Sequence, residues 1–116
     1  MQRVMLKSKI HRAVVTGTEL YYEGSISVDT LLLKAADILP GEKVEILNMN
    51  NGSRIETYAI EGKKGSGEVC LNGPAARSAC KGDEVIIVAY ASMSDDEARK
   101  YKKRVVHVDR RNRIKN

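Results

Sequence analysis

The stretch "KVEILNMNNGSRIETYAIE", residues 43–61, decides the fold class. Its two ends, Lys43–Asn48 and Arg54–Glu61, are rich in Val, Ile, Thr and Tyr, residue types that fit a pleated, half-buried surface. Between them stands Asn51-Gly52, the strongest short-range signal for a tight hairpin. Residues 43–61 therefore read as two antiparallel strands joined by a turn. Moving outward, runs of the same kind recur at Arg3–Ile10, Ala13–Thr18, Glu68–Leu71, Glu84–Ala91 and Arg104–Asp109, each bounded by turn residues. Three helical pieces interrupt them. In Asp29–Leu39, the residues Leu32, Ala35, Ala36 and Leu39 share one face and Pro40-Gly41 is the stop. Pro74–Cys80 reads as a short helical turn entered through proline. Ser94–Lys100 opens with Ser-Asp-Asp-Glu, a capping-box spacing with acid in the first turn. Many short strands, few helices and no regular β-α alternation predict one small closed or nearly closed β-barrel domain over residues 1–116.

Composition narrows the class. The 116 residues are 42% hydrophobic and 30% charged, an ordinary globular balance. With no Phe or Trp, the core must be built from Val, Ile, Leu, Ala and Met. The opening "MQRVMLKSKIHRAVV" lacks the apolar run of a secretory signal, and no segment approaches the length of a membrane span, so a cytoplasmic protein is expected. Cys70 and Cys80 are too few for a disulfide framework or a metal cluster, and read as reduced, partly buried thiols. The net charge of +5 is uneven, because "RKYKKRVVHVDRRNRIKN" (99–116) carries nine Lys/Arg against one Asp. That segment reads as a solvated, loosely ordered tail, with contact to nucleic acid or an acidic partner as the rival.

No phosphate loop, paired-cysteine zinc motif or nucleophile elbow is present, and no metal site is expected. Several polar residues nevertheless stand at strand ends: Lys9 and His11, then Arg54, Thr57 and Tyr58, then Asn72-Gly73-Pro74-Ala75. Each alone has a structural reading as a surface charge, a strand former or a turn. "LYYEGSISVD", residues 20–29, adds a Glu-Gly-Ser that on its own is a plain turn.

Taken in order, "MLKSKIHRAVVT", "YYEGS", "NGSRIETYAI", "LNGPAAR", "GDEVIIVAY" and "DDEARKYKKRVVHVD" resemble the aspartate 1-decarboxylase family from about residue 1 to residue 110. The resemblance implies a mainly β fold, a small six-stranded double-psi β-barrel with short helices. It implies decarboxylation of L-aspartate to β-alanine and CO2 for pantothenate (coenzyme A) biosynthesis. It also implies that the proenzyme cuts itself between Gly24 and Ser25 into residues 1–24 and 25–116, turning Ser25 into a covalent pyruvoyl group. That group takes the substrate amine as a Schiff base, and neither pyridoxal phosphate nor a metal is implied.

The residues suit this chemistry. The Ser25 hydroxyl is one atom from its own Cα, within reach of the Gly24 carbonyl without diffusion. Glycine before the scissile bond has no Cβ to obstruct attack. By resemblance Tyr58 is the proton donor that reprotonates Cα, which suits a phenol because it keeps its proton at neutral pH. Thr57 acts in self-cleavage and in substrate binding, with Gly73, Pro74, Ala75 and Asn72 beside it. Arg54 and Lys9 are the cations for the two substrate carboxylates, Arg54 through its fork. Proline at position 74 removes one N–H donor, so no main-chain donation comes from there. Adjacent strand residues point to opposite faces, so Thr57 and Tyr58 both serve only if the strand is bulged or the site lies between subunits. The second option fits an implied homotetramer, with Tyr22, His11 or Lys9 coming from a neighbouring chain. A maturation factor is a further possible partner. The alternative is a non-enzymatic basic β-barrel that binds nucleic acid, disfavoured because its only aromatics are five tyrosines and its charge is modest.

Overall fold

The computed structural model describes residues 1–115. Nine strands and two α-helices follow in chain order: β1 (Gln2–Val14), β2 (Gly17–Glu19), β3 (Ser25–Asp29), α1 (Thr30–Ala35), β4 (Lys43–Asn48) and β5 (Arg54–Gly62). Then come β6 (Val69–Asn72), a 3-10 turn (Gly73–Ser78), β7 (Glu84–Ser94), α2 (Asp95–Lys100), β8 (Arg104–Val108) and β9 (Ile114–Lys115). The hydrogen-bonded order is β2-β6-β3-β5-β4-β7-β1-β8-β9. β1 and β2 are two halves of one run, and this closes the barrel. β1 pairs with β7, and past it the Val15 N–H donates to the Asp83 carbonyl and the Thr16 N–H to the Val69 carbonyl, both at 2.8 Å. β2 then pairs in parallel with β6. Counting β1 and β2 as one strand, six strands surround the core, and β8 and β9 extend the sheet beyond β1. The parallel pairings β2/β6 and β3/β5, made between antiparallel neighbours, are the crossed links of a psi-type barrel.

The hairpin over residues 43–61 is built as its sequence dictates. Lys43–Asn48 pairs antiparallel with β5, and Gly52 takes φ +74° at the turn. Asn48 Oδ1 accepts from the N–H groups of Asn50 and Asn51, so the turn carries its own side-chain cap. The core is aliphatic, with Ile10, Ile26, Leu32, Ile46, Leu71 and Ile87 the largest fully buried side chains.

Three expectations need correction. α1 stops at Ala35, short of Leu39, because Asp37 enters the left-handed region at φ +55°. The Asp37 N–H reaches back to the Lys34 carbonyl and the Ile38 N–H to the Leu33 carbonyl, a Schellman ending. Leu33 and Ile38 are buried as a result and Leu39 is 68% exposed. The expected strand set also lacked β3, which begins at the serine of Glu-Gly-Ser. Ser25–Asp29 is a strand buried along its whole length, paired with both β5 and β6. Finally, the C-terminal segment is ordered. β8 pairs in parallel with β1, and Asn112, 2% exposed, accepts from the Val14 N–H and donates to the carbonyls of Val14 and Gly67. A side chain that satisfies three buried backbone groups anchors the segment. Of the thiols, Cys70 is buried and Cys80 exposed, and they are not bonded to each other. No helix among the described residues is long and apolar enough to cross a membrane.

Candidate active site

The best-formed site lies where β3 begins. β5 pairs with β4 through residues 54–58 but with β3 only from Ala59 onward, so beside Thr57 and Tyr58 one strand position is empty. A cleft of about 380 Å³ fills that position, lined by Gly24, Ile55, Glu56, Thr57, Tyr58, Pro74, Ala75 and Ser78. This resolves the two-face problem posed by adjacent Thr57 and Tyr58. The β4–β5 register runs without a shift, so there is no bulge. The cleft lies at an edge of the sheet, not on a face, and residues from either face border it.

Gly24 faces this cleft while Ser25 stands behind it, fully buried. The Ser25 hydroxyl donates to the Glu23 carbonyl at 2.8 Å and accepts from Asn72 Nδ2 at 3.0 Å. Asn72 occupies the N-cap position of the 3-10 turn, where asparagine usually caps, yet its side chain makes no cap bond. It points instead at Ser25 and Ser27, donating to Ser27 Oγ at 2.9 Å. Gly73 follows at φ +63°, and a Cβ there would lie 2.8 Å from both Cα and N of Gly24 and 2.9 Å from the Tyr22 carbonyl oxygen. The turn therefore packs directly on the backbone before Ser25, and only glycine permits both the dihedral and the approach.

The structure thus brings together Gly24, Ser25, Thr57, Tyr58, Asn72, Gly73, Pro74 and Ala75 in one chain. It does not bring four other candidates to the cleft. Arg54 projects from β5 into an ion pair with Glu45 at 3.0 Å. Glu45 also accepts from the Tyr90 hydroxyl at 2.9 Å, which raises the Tyr90 pKa, assisted by partial burial. Lys9 and His11 stand on β1, separated from β5 by β4 and β7. The His11 ring packs edge-on against His107, with centroids 5.6 Å apart, and burial, with Lys9 next in effect, pushes its pKa down. Tyr22 is exposed, and only its carbonyl touches the site. Among the described residues no lysine or arginine lines the cleft. Among the described residues no cluster of His, Cys, Asp or Glu could hold a metal.

Sequence reading missed Ser27 and the role of Cys70. Cys70 donates its thiol hydrogen to Asn72 Oδ1 at 3.3 Å. The signal was present: 25 and 27 on one strand, and 70 and 72 on another, are spacings that share a face. Without the β3–β6 pairing, nothing joined them.

The family model for aspartate decarboxylase matches residues 1–115. The chain is 58% identical over 113 residues to the aspartate 1-decarboxylase of Thermoanaerobacter pseudethanolicus, covering 97% of each chain. It is 58% identical over 115 residues to that of Syntrophus aciditrophicus, covering 99% of each. With the corresponding protein of Clostridium beijerinckii it shares 60% over 111 residues, 96% of this chain and 90% of the relative.

Proposed function

The chain belongs to the aspartate decarboxylase family, and from that premise we propose that it decarboxylates L-aspartate to β-alanine after cutting itself at Gly24–Ser25. The observation that carries this reading is the Ser25 hydroxyl, buried and held between Glu23 and Asn72 directly behind the glycine that opens on the cleft.

Self-cleavage needs no outside group beyond water. Ser25 Oγ bonds to the Gly24 carbonyl carbon, the C–N bond breaks, and the hydroxyl proton goes to the released amine, leaving an ester. Loss of the Ser25 α-proton then breaks the Cβ–Oγ bond, with the electron pair leaving on the Gly24 carboxylate. Water converts the remaining dehydroalanine to a pyruvoyl group and ammonia. Thr57, beside Gly24 in the cleft wall, is the donor for the oxyanion formed on the Gly24 carbonyl. Gly73 holds the 22–24 backbone in place through that attack. In the uncut chain Gly24 shields residue 25 from the cleft, so cutting is also what opens the site to substrate.

The residues fit a pyruvoyl group at position 25, which has a buried setting, an amide donor beside it and a cleft large enough for a four-carbon diacid. When present, that group withdraws the electrons freed as CO2 departs. The chain does the rest. Tyr58 reaches the cleft and supplies the proton to the substrate Cα. Pro74 and Ala75 of the turn line the same cleft as Thr57. The two substrate carboxylates need cations, and one chain's cleft has none. Lys9, Arg54, His11 and Tyr22 therefore act across subunit contacts in a homotetramer. Mixing Lys9→Ala with Tyr58→Phe subunits tests this, because activity returns only if sites are shared. The product feeds pantothenate synthesis, and the free thiol of exposed Cys80 suits a reducing cytoplasm.

Ser25→Ala tests the reading as a whole. The substitution removes the nucleophile from a buried position without adding volume, so the barrel folds, the chain stays at full length and no β-alanine forms. Wild-type levels of β-alanine from Ser25→Ala would overturn it.

A further inference from the structure

We propose that the cross-strand pair Ser27 and Cys70 is a positioning device for self-cleavage, which locks the Asn72 amide with its NH2 toward the Ser25 hydroxyl. The inference rests on the self-cleavage reading above and adds to it two residues that touch neither the scissile bond nor substrate.

Hydrogen-bond direction carries it. The Glu23 carbonyl can only accept, so at 2.8 Å the Ser25 hydroxyl must be its donor. Having given its one hydrogen there, Ser25 Oγ can only accept from Asn72, which places Nδ2 and not Oδ1 toward Ser25. The second Nδ2 hydrogen goes to Ser27 Oγ at 2.9 Å, and Oδ1 is left facing Cys70 Sγ at 3.3 Å. A thiol there completes the chain only as a donor. Burial pushes the Cys70 thiol pKa up, with Glu68 and Glu19 adding to the effect, so its hydrogen stays on sulfur at neutral pH. Ser27 and Cys70 are directly opposite in the antiparallel β3–β6 register, as are Ser25 and Asn72. All four are at most 8% exposed, and Asn72 itself is 1% exposed, so the amide is shielded from solvent. Asn72 also forgoes capping the turn behind it, which frees the whole amide for this network.

A flipped amide would put Oδ1 against a hydroxyl whose hydrogen is already committed, leaving Ser25 Oγ with no donor. The loss matters most at the second covalent step. There the Cβ–Oγ bond breaks and negative charge develops on Oγ as the Gly24 carboxylate leaves, and a fixed N–H on that oxygen stabilises the charge. In the first step Oγ ends as a neutral ester oxygen, so the donor matters less. The Ser27–Cys70 lock therefore speeds ester breakdown more than ester formation.

The test uses the full-length chain with Cys70→Val, Cys70→Ala, Cys70→Ser and Ser27→Ala. Intact mass follows cleavage, and hydroxylamine traps the ester by releasing residues 1–24 as the hydroxamate. Serine retains a donor at position 70, whereas valine and alanine do not. We expect Cys70→Val and Cys70→Ala to mature about three- to tenfold more slowly, the usual worth of one neutral hydrogen bond. Their hydroxylamine-sensitive fraction should rise, and Cys70→Ser should restore the wild-type rate. Ser27→Ala should slow in the same sense as Cys70→Ala. A purely structural role would lower the melting temperature and slow both steps together, with no rescue by serine. Equal rates in wild type, Cys70→Ala and Cys70→Ser would overturn the proposal, and that pair decides even if Cys70→Val fails to fold. A wild-type chain that never cuts would instead overturn the self-cleavage reading, and this inference with it.

Discussion

Replacing Gly73 with alanine separates two demands that the fold makes on one residue. The left-handed conformation at φ +63° costs a residue with a Cβ about 1–2 kcal/mol. Gly52 at φ +74° makes the same demand, but a Cβ there meets nothing within 4 Å. Gly52→Ala therefore measures the backbone cost alone. For a chain of this size, each 1 kcal/mol lowers the melting temperature by roughly 4 °C. At Gly73 the added methyl would also stand 2.8 Å from Cα and N of Gly24 and 2.9 Å from the Tyr22 carbonyl oxygen. Ordinary contact needs about 3.5–4.0 Å, so the backbone carrying the proposed scissile bond must retreat by the better part of an ångström. A misplacement of that size costs about 100-fold in a reaction that depends on alignment. Time-resolved intact mass of the two variants, with thermal melts alongside, provides the assay. Gly52→Ala should mature at the wild-type rate despite its lower melting temperature, and Gly73→Ala should remain largely uncut. If Gly73→Ala matures as fast as Gly52→Ala, the turn does not hold the scissile segment and the reasoning fails.

Tyr58→Phe keeps the ring and deletes the proposed acid. Cleavage should proceed while β-alanine formation falls on the order of 100-fold, and near-normal turnover would move the proton donor elsewhere. Thr57→Val keeps the branched shape and removes the proposed donor to the Gly24 oxyanion, so self-cleavage should slow about 100-fold with the melting temperature little changed. Asp29 governs acid stability. Burial alone would raise its pKa, but the N–H groups of Gly65, Gly67 and Leu31 outweigh that and hold it below the ordinary carboxylate value of 3.8. Its contribution is thus fully present above pH 3.8 and is lost as pH falls through the lower folded-state value. Asp29→Asn should destabilise the barrel at neutral pH and flatten the acid limb of its stability curve, as read by urea melts between pH 2 and 7.

Where the sequence was legible, one residue type was decisive within a short window. Lys43–Asn48 formed as a strand with the predicted ends because Asn51-Gly52 fixes the turn and its neighbours alternate. Ser94 capped α2 through the expected exchange with Glu97. β3 was missed because Ser25-Ile26-Ser27-Val28 is too short and too polar to compete with the turn signal before it. Its two serines are buried by partners on β6, more than 40 positions away. The end of α1 was overrun because the stop comes from Asp37 in a left-handed conformation, where the pattern offered only Pro40-Gly41. Asn112 looked like part of a basic tail because nothing local reveals that it satisfies Val14 and Gly67. For the site, the motifs around Gly24, Thr57, Tyr58 and Asn72 converge within one chain. Lys9, His11, Tyr22 and Arg54 do not, since a linear motif carries no information about where the fold places each residue.

The most direct measurement is the intact mass of the purified wild-type protein, taken while its β-alanine output is assayed. Two fragments, residues 1–24 and residues 25–116, should be present in proportion to activity. The larger should be lighter than the product of simple hydrolysis by one ammonia, and closed to amino-terminal sequencing. An active preparation in which every chain remains full length with serine intact at position 25 would contradict it.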